Sequence, residues 1–202
     1  MKKLFKIISI IIIVLILLFI INLVRNIIII NNSFSAESKL GNITDYYYKH
    51  EDNDLNQTQE IYVNDYYFLE VITSNNKTFK LLFDKTTNTL TTISENNEIT
   101  KENHSAYEIT TPYKNLFFLG DTDKSEVLKE YLFKPIKSED NFYIIKYNNS
   151  ETLWYINKDT YQIEKYISAA GNTSYYTVNF SEISDDVFND NFINQVENNE
   201  IN

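Results

Sequence analysis

Residues Ile7 to Val24 form an eighteen-residue run with no charged side chain, in which only Ser9 and Asn22 are polar. Wound as a helix, such a run is about 27 Å long, close to the hydrocarbon thickness of a bilayer. Its sixteen Ile, Leu, Val and Phe side chains favour insertion by about −5 to −9 kcal/mol, which outweighs one Asn and one Ser. Lys2, Lys3 and Lys6 precede the run and Arg25 follows it. The excess of positive charge on the leading flank places that flank in the cytoplasm and the rest of the chain outside.

A run of this kind is an anchor or a secretory signal. Signals carry an apolar region of about 7–15 residues closed by a small-x-small cleavage site. This run is longer and no such site closes it. Ser33 and Ser35 have the right spacing, but they lie well beyond the apolar core. The reading is therefore a single-pass anchor over residues 1–30, followed by a tether over 31–43. The alternative is secretion after cleavage behind Ser35. The chain has no cysteine, which closes the route through a lipidated cysteine and excludes disulfide staples and thiolate metal sites.

Beyond residue 30 the chain keeps fourteen lysines and no arginine against twenty-eight acids, a net charge of −14. Such a surface repels phosphate backbones, and nucleic acid is excluded as a partner. Aromatic residues make up 15% of the chain, with Tyr far ahead of Trp. With the many Ile, Thr and Val residues, this composition favours strands. The expected fold is a β-rich α+β domain over residues 44–190, with a tail over 191–202.

From Thr44 onward, short apolar clusters alternate with Asn, Asp, Thr and Ser turns, as in antiparallel sheets. The spacing predicts strands at 45–49, 58–63, 66–73, 78–84, 89–94, 105–109, 141–147, 152–157, 162–168 and 174–180. With three glycines and two prolines in the chain, Asn and Asp must make most of the turns. Period-two alternation puts Phe79, Leu81 and Phe83 on one face, and likewise Tyr143, Ile145 and Tyr147. The opposite faces carry Leu82, Phe142 and Ile144. Apolar groups on both faces imply one face covered by helix and the other lining a concavity. Val127, Leu128, Tyr131 and Leu132 stand at helical spacing behind capping Asp121 and Asp123, with Pro135 beyond. A weaker helical pattern, Val187, Phe188, Phe192 and Val196, ends the chain.

Motifs for catalysis are missing. His50 and His104 stand in polar contexts with no third ligand nearby. Asp52-x-Asp54-x-Asn56 opens like a calcium loop, but it lacks the glycine at position six and the glutamate at position twelve, where Val63 stands. No Gly-rich phosphate loop, nucleophile elbow or His-Glu-x-x-His occurs. A non-catalytic protein without a cofactor is expected.

The element order carries a resemblance. Meandering hairpins come first, then Thr111-Pro112-Tyr113-Lys114-Asn115-Leu116 leads into a helix. A final meander runs from Asn141 to Phe188, with Trp154-Tyr155-Ile156-Asn157-Lys158-Asp159-Thr160 inside it and Asp185-Asp186-Val187-Phe188 at its end. This order resembles the lipoprotein-carrier (LolA-like) superfamily, which includes envelope-stress regulators of the RseB kind. The resemblance implies an antiparallel incomplete barrel wrapped on one or two helices, with an apolar hollow for acyl chains or a partner's segment. Two departures matter: no full amphipathic helix is evident between Asn31 and Ile43, and an anchored chain cannot shuttle.

The expected function is a membrane-anchored extracytoplasmic module that binds a lipid acyl chain or another apolar ligand. Phe79, Leu81, Phe83, Tyr143, Ile145, Trp154 and Ile156 are its candidate lining. The alternative is an envelope sensor or scaffold that binds and regulates a protein partner, such as a signalling protein or a cell-wall enzyme.

Overall fold

The computed structural model describes residues 2–36, 44–104, 123–146 and 151–189, together with Phe192 and Val196. The expected strand at 105–109, the Thr111–Leu116 segment, Tyr147 and most of the tail lie outside the described residues. So do residues 37–43 of the expected tether.

The chain opens with one continuous helix, α1 (Lys2–Ser35). Strands β1 (Tyr46–Asp52), β2 (Gln57–Val63), β3 (Tyr67–Ser74), β4 (Lys77–Asp84), β5 (Thr89–Ile93) and β6 (Ile99–Asn103) follow. Then come helix α2 (Lys124–Glu130) and strands β7 (Lys137–Glu139), β8 (Phe142–Lys146), β9 (Leu153–Asn157), β10 (Ile163–Ile167) and β11 (Thr173–Asn179). A short helix, α3 (Asp185–Phe188), comes last.

The eleven strands among the described residues join one antiparallel sheet in the order β6-β5-β4-β3-β2-β1-β11-β10-β9-β8-β7. Two meanders are thus zipped together where β1 pairs with β11, Tyr47 opposite Asn179. The sheet is open and does not close into a barrel. Its edges, β6 and β7, are short and rich in exposed charged residues, which discourages pairing with another chain.

Asparagine makes the turns, as the scarcity of glycine requires. Asn75 and Asn76, at φ 50° and 63°, form the two-residue loop of the β3–β4 hairpin, where Ser74 pairs with Lys77. Positive φ at both central residues matches the right-handed strand twist. Elsewhere a carboxylate or amide folds the backbone around itself. Asp84 Oδ1 accepts from Thr86 N at 2.8 Å and Asn157 Oδ1 from Asp159 N at 2.7 Å. The acidic loop after β1 is of this type: Asp52 Oδ1 accepts from Asp54 N at 3.0 Å, and Asp54 Oδ2 from Thr173 N at 2.9 Å.

Helices pack on part of each face: α1 and α2 on the first over β8–β10, and α3 on the second over β3–β5. On one face, Ile29 and Ile30 of α1 and Val127 and Tyr131 of α2 pack on Ile145, Ile156 and Ile163. The same face continues across β1–β4 with Tyr46, Tyr48, Ile61, Phe68 and Phe83. On the opposite face, Phe188 of α3, Phe192 and Val196 pack on Leu69, Leu82 and Ile93. Two residues of the expected tail therefore belong to the core. A bulge between Ile163 and Lys165 keeps Ile163 on the first face and sends Lys165 to the second.

The expected tether is also revised, because α1 runs on through 31–35. Asn26, Ile29, Ile30 and Ser33 are all buried, at helical spacing i, i+3, i+4, i+7. Of the stretch between Asn31 and Ile43, α1 takes in residues 31–35.

Candidate functional site

All seven candidate lining residues fall on the α1/α2 face, as cross-strand register requires. Ile72 pairs with Phe79, Glu70 with Leu81 and Phe68 with Phe83. In the other meander Tyr143 pairs with Ile156, and Ile145 with Trp154. They do not form one lining. Phe83 is buried and Leu81 half-buried in the β1–β4 cluster. Ile145 and Ile156, each at 0% exposure, lie under the helices with Tyr143 and Trp154 against them. Phe79 stands apart at 36% exposure. It borders a shallow cleft of about 410 Å³ with Ile72, Thr78, Lys77 and Glu95.

A hydrogen-bonded junction lies where α1 meets the segment after α2. Asn26 is 1% exposed. Its Nδ2 donates to Tyr131 O at 2.8 Å and Lys134 O at 2.7 Å, and its Oδ1 accepts from Ile136 N at 3.3 Å. One side chain thus ties down the whole segment between α2 and β7. Tyr131 continues the chain of contacts. Its hydroxyl donates to Lys146 O at 2.8 Å and accepts from Lys146 N at 2.7 Å, and burial raises its pKa. The Arg25 guanidinium sits 5.9 Å from the centre of the Tyr143 ring. Sequence reasoning missed Asn26, because it assigned residues 1–30 whole to the anchor; the spacing of 26, 29, 30 and 33 was the available signal.

Before this junction α1 is bare. Residues from Leu4 to Ile21 are exposed hydrophobics apart from Lys6 and Ser9, with Leu4 at 62% and Ile21 at 63% exposure. Among the described residues, α1 is the helix long and apolar enough to cross a membrane. A helix apolar all round and not buried in the domain, as this part of α1 is, has the character of a membrane anchor or a signal sequence.

Two polar features complete the surface. Asn64, buried between β2 and β3, accepts from Tyr66 N at 2.9 Å and Tyr67 N at 2.8 Å, and donates to Asp185 Oδ1 at 2.8 Å. It borders a cleft of about 650 Å³ shared by Asp45, Asp65, Tyr66, Glu182 and Asp185. Among the described residues, no three His, Asp or Glu side chains gather closely enough to hold a metal ion. On the second face, Lys165 stands in register between Tyr155 and Tyr175, its ammonium 4.6 Å and 5.7 Å from the two ring centres. Nearby, Tyr47 and Tyr62 both donate to Glu60 Oε1, at 2.7 Å and 3.3 Å. Burial and the Glu60 charge push the Tyr62 hydroxyl up to about 12.

Compared with known proteins, the chain matches no family model, no curated protein and no solved structure.

Proposed function

We propose that the chain is a stationary, non-catalytic binding module held on the outer side of a membrane by α1, which is retained as its anchor. The observation that carries this reading is the unbroken passage of α1 from a bare apolar span into the domain core at Asn26, Ile29 and Ile30. Cleavage after Ser35 would remove these residues and leave Val127, Tyr131 and Ile136 uncovered. Each buried Ile contributes about 1.5–3 kcal/mol, so the cut would be costly. Lys2, Lys3 and Lys6 set the orientation.

The occupant is a protein partner, and the module acts as an envelope sensor or scaffold for a signalling protein or a cell-wall enzyme. Support comes from the second face of β8–β11, which shares no core cluster with a described helix. There Tyr155 and Tyr175 are held in place by Lys165. Amphipathic rings with little freedom to lose are common anchors at protein interfaces. The test is co-purification of full-length chain from detergent-solubilised membranes. A stoichiometric partner recovered with wild type and lost with Tyr155→Ala/Tyr175→Ala supports the reading. Equal recovery from both, or no stoichiometric partner, counts against it.

A second reading, binding of an acyl chain or similar apolar ligand, is favoured by Phe79, half-exposed beside Ile72 at the end of the apolar face. The lipoprotein-carrier-like order of hairpins, helix and meander supports it as well. Displacement of a fluorescent fatty acid, lost in Phe79→Asp, tests it.

A further inference from the structure

Phe133 follows α2 in the segment that Asn26 holds, and among the described residues it is the most exposed large hydrophobic, at 78%. Its ring does not point at random into solvent. It stacks on Phe19 of α1, ring centres 5.6 Å apart and planes 21° from parallel. Phe19 lies inside the apolar span, six residues before Arg25, or about 9 Å along the helix axis. A side chain against Phe19 is therefore below the level at which the span ends.

We infer that the segment 132–135 is a lipid-embedded wedge, with Phe133 seated beside α1 in the outer leaflet of the bilayer. This rests on the reading of α1 as a retained anchor. The occupant follows from continuity, since the surface next to Phe133 is the span itself. The charges agree. Lys134 has its side chain 63% exposed and pairs with Glu130 at 3.3 Å. Arg25 is held over Tyr143. Both stand where a cation reaches the headgroups while its stem lies along apolar surface. Two fixings, the helix and the wedge, would hold the sheet at one orientation to the membrane, unlike a domain on a flexible tether.

The chain has no cysteine, so a single one can carry an environment-sensitive fluorophore. Full-length Phe133→Cys, Ile13→Cys and Asn172→Cys are labelled and reconstituted in phosphatidylcholine/phosphatidylglycerol vesicles, with or without lipids bearing nitroxides on the acyl chain. The expected result is blue-shifted emission, quenched by the nitroxide lipids, at 133 and 13, with neither effect at 172. Quenching at 13 but not at 133 overturns the wedge and leaves the anchor standing. Quenching at neither overturns both.

Discussion

Replacing Asn26 by Ala isolates the link between span and domain. The substitution removes three hydrogen bonds from a site that is 1% exposed. At about 0.5–1.5 kcal/mol net for each bond, the loss is about 1.5–4.5 kcal/mol, with about 3 kcal/mol as the central value. Ala also has good helix propensity, so α1 itself is not weakened. Asn26→Asp should cost more, because it turns a carboxylate towards the carbonyls of Tyr131 and Lys134. Urea unfolding of full-length chain in mild detergent, followed by the tyrosine signal of the sheet, reads the effect. With a slope of about 2 kcal/mol/M, the midpoint should fall by about 1.5 M with the slope unchanged. Ser9→Ala is the control, since its hydroxyl bonds only Phe5 O within α1. If Asn26→Ala unfolds within about 0.5 kcal/mol of that control, α1 is not part of the domain's cooperative core.

Other expectations follow from single sites. Phe188→Ala should destabilise by about 3–5 kcal/mol, because the ring is fully buried between α3 and the second sheet face. Denaturant titration checks it. Asn76→Ala should cost about 1 kcal/mol by forcing a Cβ-bearing residue without a compensating polar group into positive φ. Asn76→Gly should not, and the pair of midpoints decides. His50 stacks on Tyr176 at 4.8 Å, and its Nε2 has no hydrogen-bond partner among the described residues. Burial lowers its pKa, with Asp52 opposing more weakly. The unfolded imidazole, near its ordinary value of about 6.5, then binds protons more readily than the native one. Its contribution to stability is complete above that value and is lost as pH falls below it towards the depressed native value. His50→Phe should flatten this slope in stability measured across that window.

The strands with strong alternation were legible in the sequence. Phe79, Leu81 and Phe83 do share a face, and asparagines such as Asn75 and Asn76 do make turns. Strand β6 was not legible, because Ile99–Asn103 is an almost wholly exposed edge with little apolar alternation. Strand β7 was not either, because three polar residues become a strand only through pairing with β8. Alternation identified the face of the candidate lining residues but could not say what lies on it. That depended on contacts over long stretches of chain, such as Asn26 with Lys134 and Ile136. Composition split the chain into a greasy anchor and a water-loving domain at residue 30, and the real boundary is blurred. Ile29 and Ile30 serve the domain as core residues while remaining continuous with the span.

The account stands on α1 being kept and built into the domain. The intact mass of the chain recovered from the membrane fraction tests this most directly. Retention gives 23.9 kDa for residues 1–202. A stable mature chain beginning at Ala36, with its sheet intact, would contradict it.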